Sequence, residues 1–278
     1  MSVTVMLGGT ADQIIPAIET AIESAKRLKT SLTGLCALPD PSLYAIYIAG
    51  AETVYLGTEA VASLREAQDK LATELKQVFT NKTEAAGTWL RAEFKRQVGS
   101  VGSHGAAAAS LADAFVLPPV STESNHPLNP VLEHVLMEAN LPLVVASPKP
   151  SSSDTCLIAW DGSPLAARAV RMHMPLIKSY KSVIIAQNPK KIRHRWAQVC
   201  APSAERLAEL LREERLQVSQ VVIDGPVSDG ILSAAESHEA SVIVMGAYGH
   251  NRLGQMLFGG TTSKILHCET APALALCH

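Results

Sequence analysis

Apolar residues fall along this chain in short β-branched runs, each followed by a stretch in which they recur at helical spacing. In the second half CLIAW (156–160) leads into SPLAARAVRMHMPLIKS (163–179), where Ser163 suits a helix cap and Pro164 the first helical position. SVIIAQN (182–188) reads as the next strand and PSAERLAELLREERL (202–216) as a helix capped by Ser203. A strand in VSQVVIDG (218–225), a helix in VSDGILSAAESHE (227–239) and a strand in ASVIVMGA (240–247) follow. GGTTSKILHCE (259–269) then gives a helix and APALALCH (271–278) a last strand. Strands alternating with helices of this length predict right-handed βαβ crossovers, hence a parallel sheet covered by helices on both faces.

The first half repeats the plan. SVTVMLGGT (2–10) lies against TCLIAWDGS (155–163), with Gly8 opposite Asp161 and Gly9 opposite Gly162. SLTGLCAL lies against SVIIAQN, LADAFVLPP against EASVIVMGA, and NLPLVVAS against TAPALALCH. The same order of elements argues for duplication. A long amphipathic segment, roughly 58–79, enlarges the first copy. PKPSSSD (148–154) has the composition of an exposed linker and divides the chain into units 1–150 and 151–278. The expected fold is therefore α/β: two tandem doubly wound, Rossmann-like parallel-sheet domains.

Length agrees, since 278 residues suit two domains of ordinary size. A formal net charge of −2 gives no global field for nucleic acid or an anionic membrane, so neither is an expected partner. MSVTVMLGGT has no cationic flank and long apolar core of a leader, and no apolar run spans a bilayer, which predicts a cytoplasmic protein. The five cysteines, Cys36, Cys156, Cys200, Cys268 and Cys277, are scattered and read as small buried hydrophobes rather than a disulfide or zinc framework. KKIRHRW (190–196) is basic but lacks any accompanying RNA-binding pattern, and GSVGSHG (99–105) lacks the phosphate-loop lysine, leaving a loop and helix cap. No nucleophile elbow, zinc-protease helix or dinucleotide fingerprint is present. Catalysis is not expected, with only a weak ATPase left open.

One stretch concentrates candidate chemistry. GAYGHNRLGQMLFGGTTSKIL (246–266) places five glycines in fifteen positions, at about 0.5–1 kcal/mol each relative to alanine in ordered structure. Such a cluster implies positive φ angles or a ligand against bare backbone, or else a tight strand-to-helix connection that needs no ligand. Gly246 ends a predicted strand, while Gly259 and Gly260 precede a helix whose free amides favour an anion. The spacing Gly246-x-x-Gly249, nine residues, then Gly259 resembles the nucleotide-binding members of the universal stress protein family. IAWDGSPLAARAV is similar to that family's first strand and helix, ASVIVMGAYG to its fourth strand, and APALALCH to its last.

The resemblance implies a tandem stress-response protein holding ATP or AMP, with or without magnesium, in its second domain. It implies that Asp161, with the backbone of Ala159 and Trp160, receives the adenine, and that Asn188 lines the base. Gly246 and Gly249 would pass under the ribose and phosphates, and Gly259, Gly260, Thr261 and Thr262 would hold the phosphate chain. Two departures stand out: Gly260 occupies the position of a usual Ser or Thr, and Trp160 precedes the acid as either a stacking face or a filler. His250 reads as a solvated loop residue. In the first copy Gly8 replaces the acid and PPVSTESNHPLNP (118–130) replaces the glycine loop, with prolines that remove amide donors, so one site per chain is expected. An unidentified protein partner is implied, homodimerisation is optional, and the alternative is a scaffold or chaperone-like protein with an empty remnant site. The strands LPLVVAS and APALALCH are expected to pair with each other and cover both edges.

Overall fold

The computed structural model describes residues 2–42, 58–192, 203–247 and 260–278. The first half runs β1 (Ser2–Met6), α1 (Ala11–Leu28), β2 (Ser31–Leu38), α2 (Thr58–Ala85), β3 (Ala92–Val98), α3 (Val101–Ala109), β4 (Ala114–Leu117), α4 (Asn129–Glu133) and β5 (Leu143–Val145). The second runs β6 (Thr155–Ala159), α5 (Pro164–Met172), α6 (Met174–Ile177), β7 (Ser182–Gln187), α7 (Ala204–Glu213), β8 (Gln217–Val222), α8 (Val227–Ser237), β9 (Val242–Gly246), α9 (Gly260–Leu266) and β10 (Ala273–Cys277).

Among the described residues these strands form one ten-stranded sheet in the order β3-β2-β1-β4-β5-β10-β9-β6-β7-β8. Each half has the same internal order, as duplication predicts. Every pairing is parallel except one. Where the halves meet, β5 and β10 run antiparallel with Leu143 against Leu276, Val144 against Ala275 and Val145 against Leu274. The two last strands therefore cover each other's edges, and the exposed edges are β3 and β8.

Strand alternation sends Val3, Val5 and Leu7 to one face and Met6 to the other. On the first face α1, α2, α5, α6 and α7 bury Ile14, Leu75, Val170, Leu176 and Leu211; on the second α4, α8 and α9 bury Leu132, Ile231 and Ile265. Both apolar layers continue across the seam. Cys36, Cys156 and Cys277 lie in the first layer, as the small-hydrophobe reading requires. Cys200 lies outside the described residues.

The linker does not float. The Arg27 side chain at the end of α1, only 6% exposed, lies 4.4 Å over the Tyr180 ring of the second half. Its guanidinium donates to the carbonyls of Ser152 at 2.9 Å and Ser153 at 2.8 Å, and pairs with Asp154 at 2.8 Å and Glu23 at 2.9 Å. Composition predicted exposure for this segment. Exposed it partly is, yet one arginine fastens it to both halves.

The stretch 163–179 is two helices rather than one, α5 ending before His173 and α6 beginning after it. His173 is buried, and its Nε2 donates to the carbonyl of Leu276 at 3.0 Å. Burial lowers its pKa to about 4, against the opposing pull of that hydrogen bond. The unfolded chain then binds a proton that the folded chain refuses below the ordinary histidine pKa of 6.5. Stability should therefore fall as pH drops from 7 to 5, by about 2 kcal/mol from this residue, and level off below 4. Denaturant midpoints measured across that range for the native protein and His173→Asn check this, the variant losing most of that slope.

Candidate functional site

The strand order itself creates a crevice. From β6 the chain moves to β7 and β8 on one side, then returns to β9 on the other side of β6. The helix after β6 therefore packs on one face of the sheet and the helix after β9 on the other, shown by Ala166 and Ile265 in opposite layers. Loops leaving the carboxyl ends of β6 and β9 diverge, and that divergence is where ligands of doubly wound sheets bind.

Asp161 stands at this divergence. Ala159 ends β6 opposite Ala186 of β7, and the N–H of Trp160 donates to the carbonyl of Ala186 at 2.9 Å. Gly162 then turns with a φ of +72°, which suits glycine, and Ser163 caps α5 by accepting the N–H of Ala166 at 3.1 Å. Asp161 Oδ1 accepts the N–H of Ser163 at 2.9 Å, an Asx turn that fixes the carboxylate, while the residue remains exposed. The turn role expected of any Asp-Gly-Ser and an accessible, oriented acid coexist here.

Trp160 is 4% exposed within the core layer beneath α5, so its ring is a filler and not a stacking face. Asn188 is buried with its amide engaged: Oδ1 accepts the N–H of Lys190 at 3.1 Å and Nδ2 donates to the carbonyl of Gly225 at 3.3 Å. It braces the rim at the end of β7.

Gly246 also has a reason of its own. A Cβ there would lie 2.7 Å from the carbonyl carbon of Leu165 and 2.9 Å from the amide nitrogen of Ala166. The first turn of α5 packs directly on bare backbone at the end of β9. This accounts for the glycine without a ligand.

Gly260, in contrast, opens α9 exposed, with nothing among the described residues within 4 Å of a Cβ placed on it. Packing does not demand glycine there. Thr261 beside it is half-buried and Thr262 is buried, and Lys264 one turn on pairs with Asp229 of α8 at 2.6 Å. Gly249, His250 and Gly259 lie outside the described residues. No cluster of metal-binding side chains occurs among the described residues, and no described helix is long and apolar enough to cross a membrane.

This is the carboxyl end of the second half's strands in a doubly wound α/β protein, with an oriented acid after β6 and a helix start beyond β9. Residues 153–275 match the universal stress protein family. Two solved structures are similar over nearly the whole length. A universal stress protein from Archaeoglobus fulgidus DSM 4304 aligns at 16% identity over 99% of this chain and 97% of its own, with a TM-score of 0.64. A putative universal stress protein from Pseudomonas aeruginosa UCBPP-PA14 aligns at 16% identity over 99% and 92%, with a TM-score of 0.50. At such identities the likeness is one of fold, and it embraces both halves. No curated protein matches the chain in sequence.

Proposed function

We propose that this chain is a regulatory stress-response protein that binds one adenine nucleotide, ATP or AMP, in its second unit, residues 151–278, and acts through a protein partner in the cytoplasm. The first unit, residues 1–150, is a degenerate copy. The observation that carries the reading is Asp161: exposed, fixed by its own turn, and set where the loops after β6 and β9 part. A carboxylate so placed accepts a hydrogen bond from an exocyclic amine, and the start of α9 offers the backbone of Gly260 and Thr261 to phosphates, with Thr262 buried behind them. No enzymatic role is assigned.

Denaturing the purified protein and identifying any released compound by absorbance and mass tests the reading directly. Titration calorimetry with ATP and AMP then gives the stoichiometry, expected to be one. Asp161→Ala should weaken binding by about 1–3 kcal/mol, the scale of a hydrogen bond to a charged group. Gly260→Ser, which meets no steric obstacle, should strengthen it by supplying the hydroxyl the family usually carries. Unchanged affinity in both variants sinks the assignment.

The packing at Gly246 favours a second reading, a scaffold of the same fold whose glycines serve the helix contact. It predicts no released nucleotide and no calorimetric signal.

A further inference from the structure

The carboxyl end of β1 matches that of β6 in two main-chain features. Leu7 donates to the carbonyl of Leu35 as Trp160 does to that of Ala186, both at 2.9 Å. Gly9 turns at φ +91° as Gly162 turns at +72°. What stands above the two turns differs. Asp161 is exposed, whereas its counterpart Gly8 is buried, and a Cβ on Gly8 would lie 2.9 Å from Leu128 Cγ. A Cβ on Gly9 would lie 2.6 Å from His126 Nε2 and 2.4 Å from Gln13 Oε1.

We propose that the crevice of the first half is occupied in cis: the segment from Pro118 to Asn129 seats the His126 ring, backed by Leu128, over the Gly8–Gly9 turn as a built-in substitute for a small aromatic ligand. The segment is braced for this. Ser121 Oγ donates to the carbonyl of Pro118 at 2.7 Å, and Asn129 Nδ2 donates to the carbonyl of Ser121 at 3.1 Å. His126 is 7% exposed and Leu128 1%. The N–H of Leu128 donates to His126 Nδ1 at 3.2 Å, so the proton of the neutral ring sits on Nε2. That Nε2 is buried with no hydrogen-bond partner among the described residues. An apolar ring would fill the space without leaving a buried donor unmet, so filling alone does not account for imidazole here. The bare Gly8–Gly9 backbone explains the fit, since any side chain at either position would collide with the seated ring or with Leu128. Burial holds the ring's pKa below the ordinary value against the opposing charge of Glu123, in keeping with a closed seat.

This inference stands apart from nucleotide binding by the second half. It is tested in the full chain with His126→Gly, probed with imidazole and 4-methylimidazole. The variant's thermal midpoint should fall by about 5 °C, and millimolar imidazole should restore at least half of that, saturably, while leaving the native protein unmoved. Equal shifts in both proteins, or a midpoint unchanged by the substitution, overturn the proposal. Should the variant fail to fold, 15N-histidine spectra of the native protein decide: a slowly exchanging Nε2 proton that does not titrate between pH 6 and 8 supports the seat. A solvent-exchanging ring titrating near the ordinary histidine pKa refutes it.

Discussion

Gly246→Val is expected to destabilise the protein by at least about 3 kcal/mol, a larger effect than on any ligand affinity. The added Cβ would lie 2.7 Å from the carbonyl carbon of Leu165 and 2.9 Å from the nitrogen of Ala166. Those are main-chain atoms in the capped first turn of α5, which cannot swing aside as a long side chain would. Relief requires moving α5 off β9 or bending β9 away from β10, to which Gly246 is paired through Cys277. Overpacking in a core usually costs about 1–3 kcal/mol, and a clash between backbone elements belongs at or beyond the upper end. Urea unfolding of the native protein, Gly246→Ala and Gly246→Val measures it. A stable valine variant with selectively weakened nucleotide binding would restore the glycine to the ligand and overturn the packing account.

Gly246 also shows what the sequence reveals and what it withholds. Its spacing to the later glycines was legible and placed it at the carboxyl end of a strand, where β9 ends. Its reason was not, because the atoms that demand it, in Leu165 and Ala166, lie some eighty positions earlier and meet it only in the folded chain. The buried strands were readable for the opposite cause. Runs such as Val242–Gly246 and Ala273–Cys277 are covered on both faces and stay apolar throughout.

The edge strand β3 was missed on the same logic. Its sequence AEFKRQV is exposed at nearly every position and carries Glu93, Lys95 and Arg96, so it has no apolar signature. Charge on an edge is how a sheet avoids pairing with another chain. The helix α1 was not singled out either, although Ile14, Ala17, Ile18, Ala21 and Ala25 recur at helical spacing. At the site, the Asp161 turn was legible from three adjacent residues, while the engagement of Asn188 with Gly225 was not. Local chemistry reads directly; chemistry that joins two loops does not. The ring of His126 in the first crevice belongs to the second kind.

The halves should stay together when the linker is cut, and Arg27 should decide how firmly. Cleavage between Pro150 and Ser151 leaves Ser152, Ser153 and Asp154 on the second fragment and Arg27 on the first, so its bonds then join two chains. The antiparallel pairing of β5 with β10 and the two continuous apolar layers remain as well. Light scattering after size exclusion should therefore find the cut protein intact at micromolar concentration. Arg27→Ala removes two carbonyl bonds, the ion pairs and the contact with Tyr180 from a side chain only 6% exposed. Charged hydrogen bonds contribute about 1.5–3 kcal/mol and a desolvated cation–π contact about 2 kcal/mol, but these act on one group and do not add, so a loss of about 3 kcal/mol is expected. In the uncut variant that loss appears in the urea midpoint, and in the cut variant as fragments that separate at a lower urea concentration. Deleting 272–278 removes β10, leaving β5 paired only with β4 and β9 only with β6, and should unfold the chain or part its halves outright. Folded fragments that drift apart with Arg27 in place would show that neither the seam nor the clasp holds the molecule, and that the covalent linker alone keeps the two copies in one sheet.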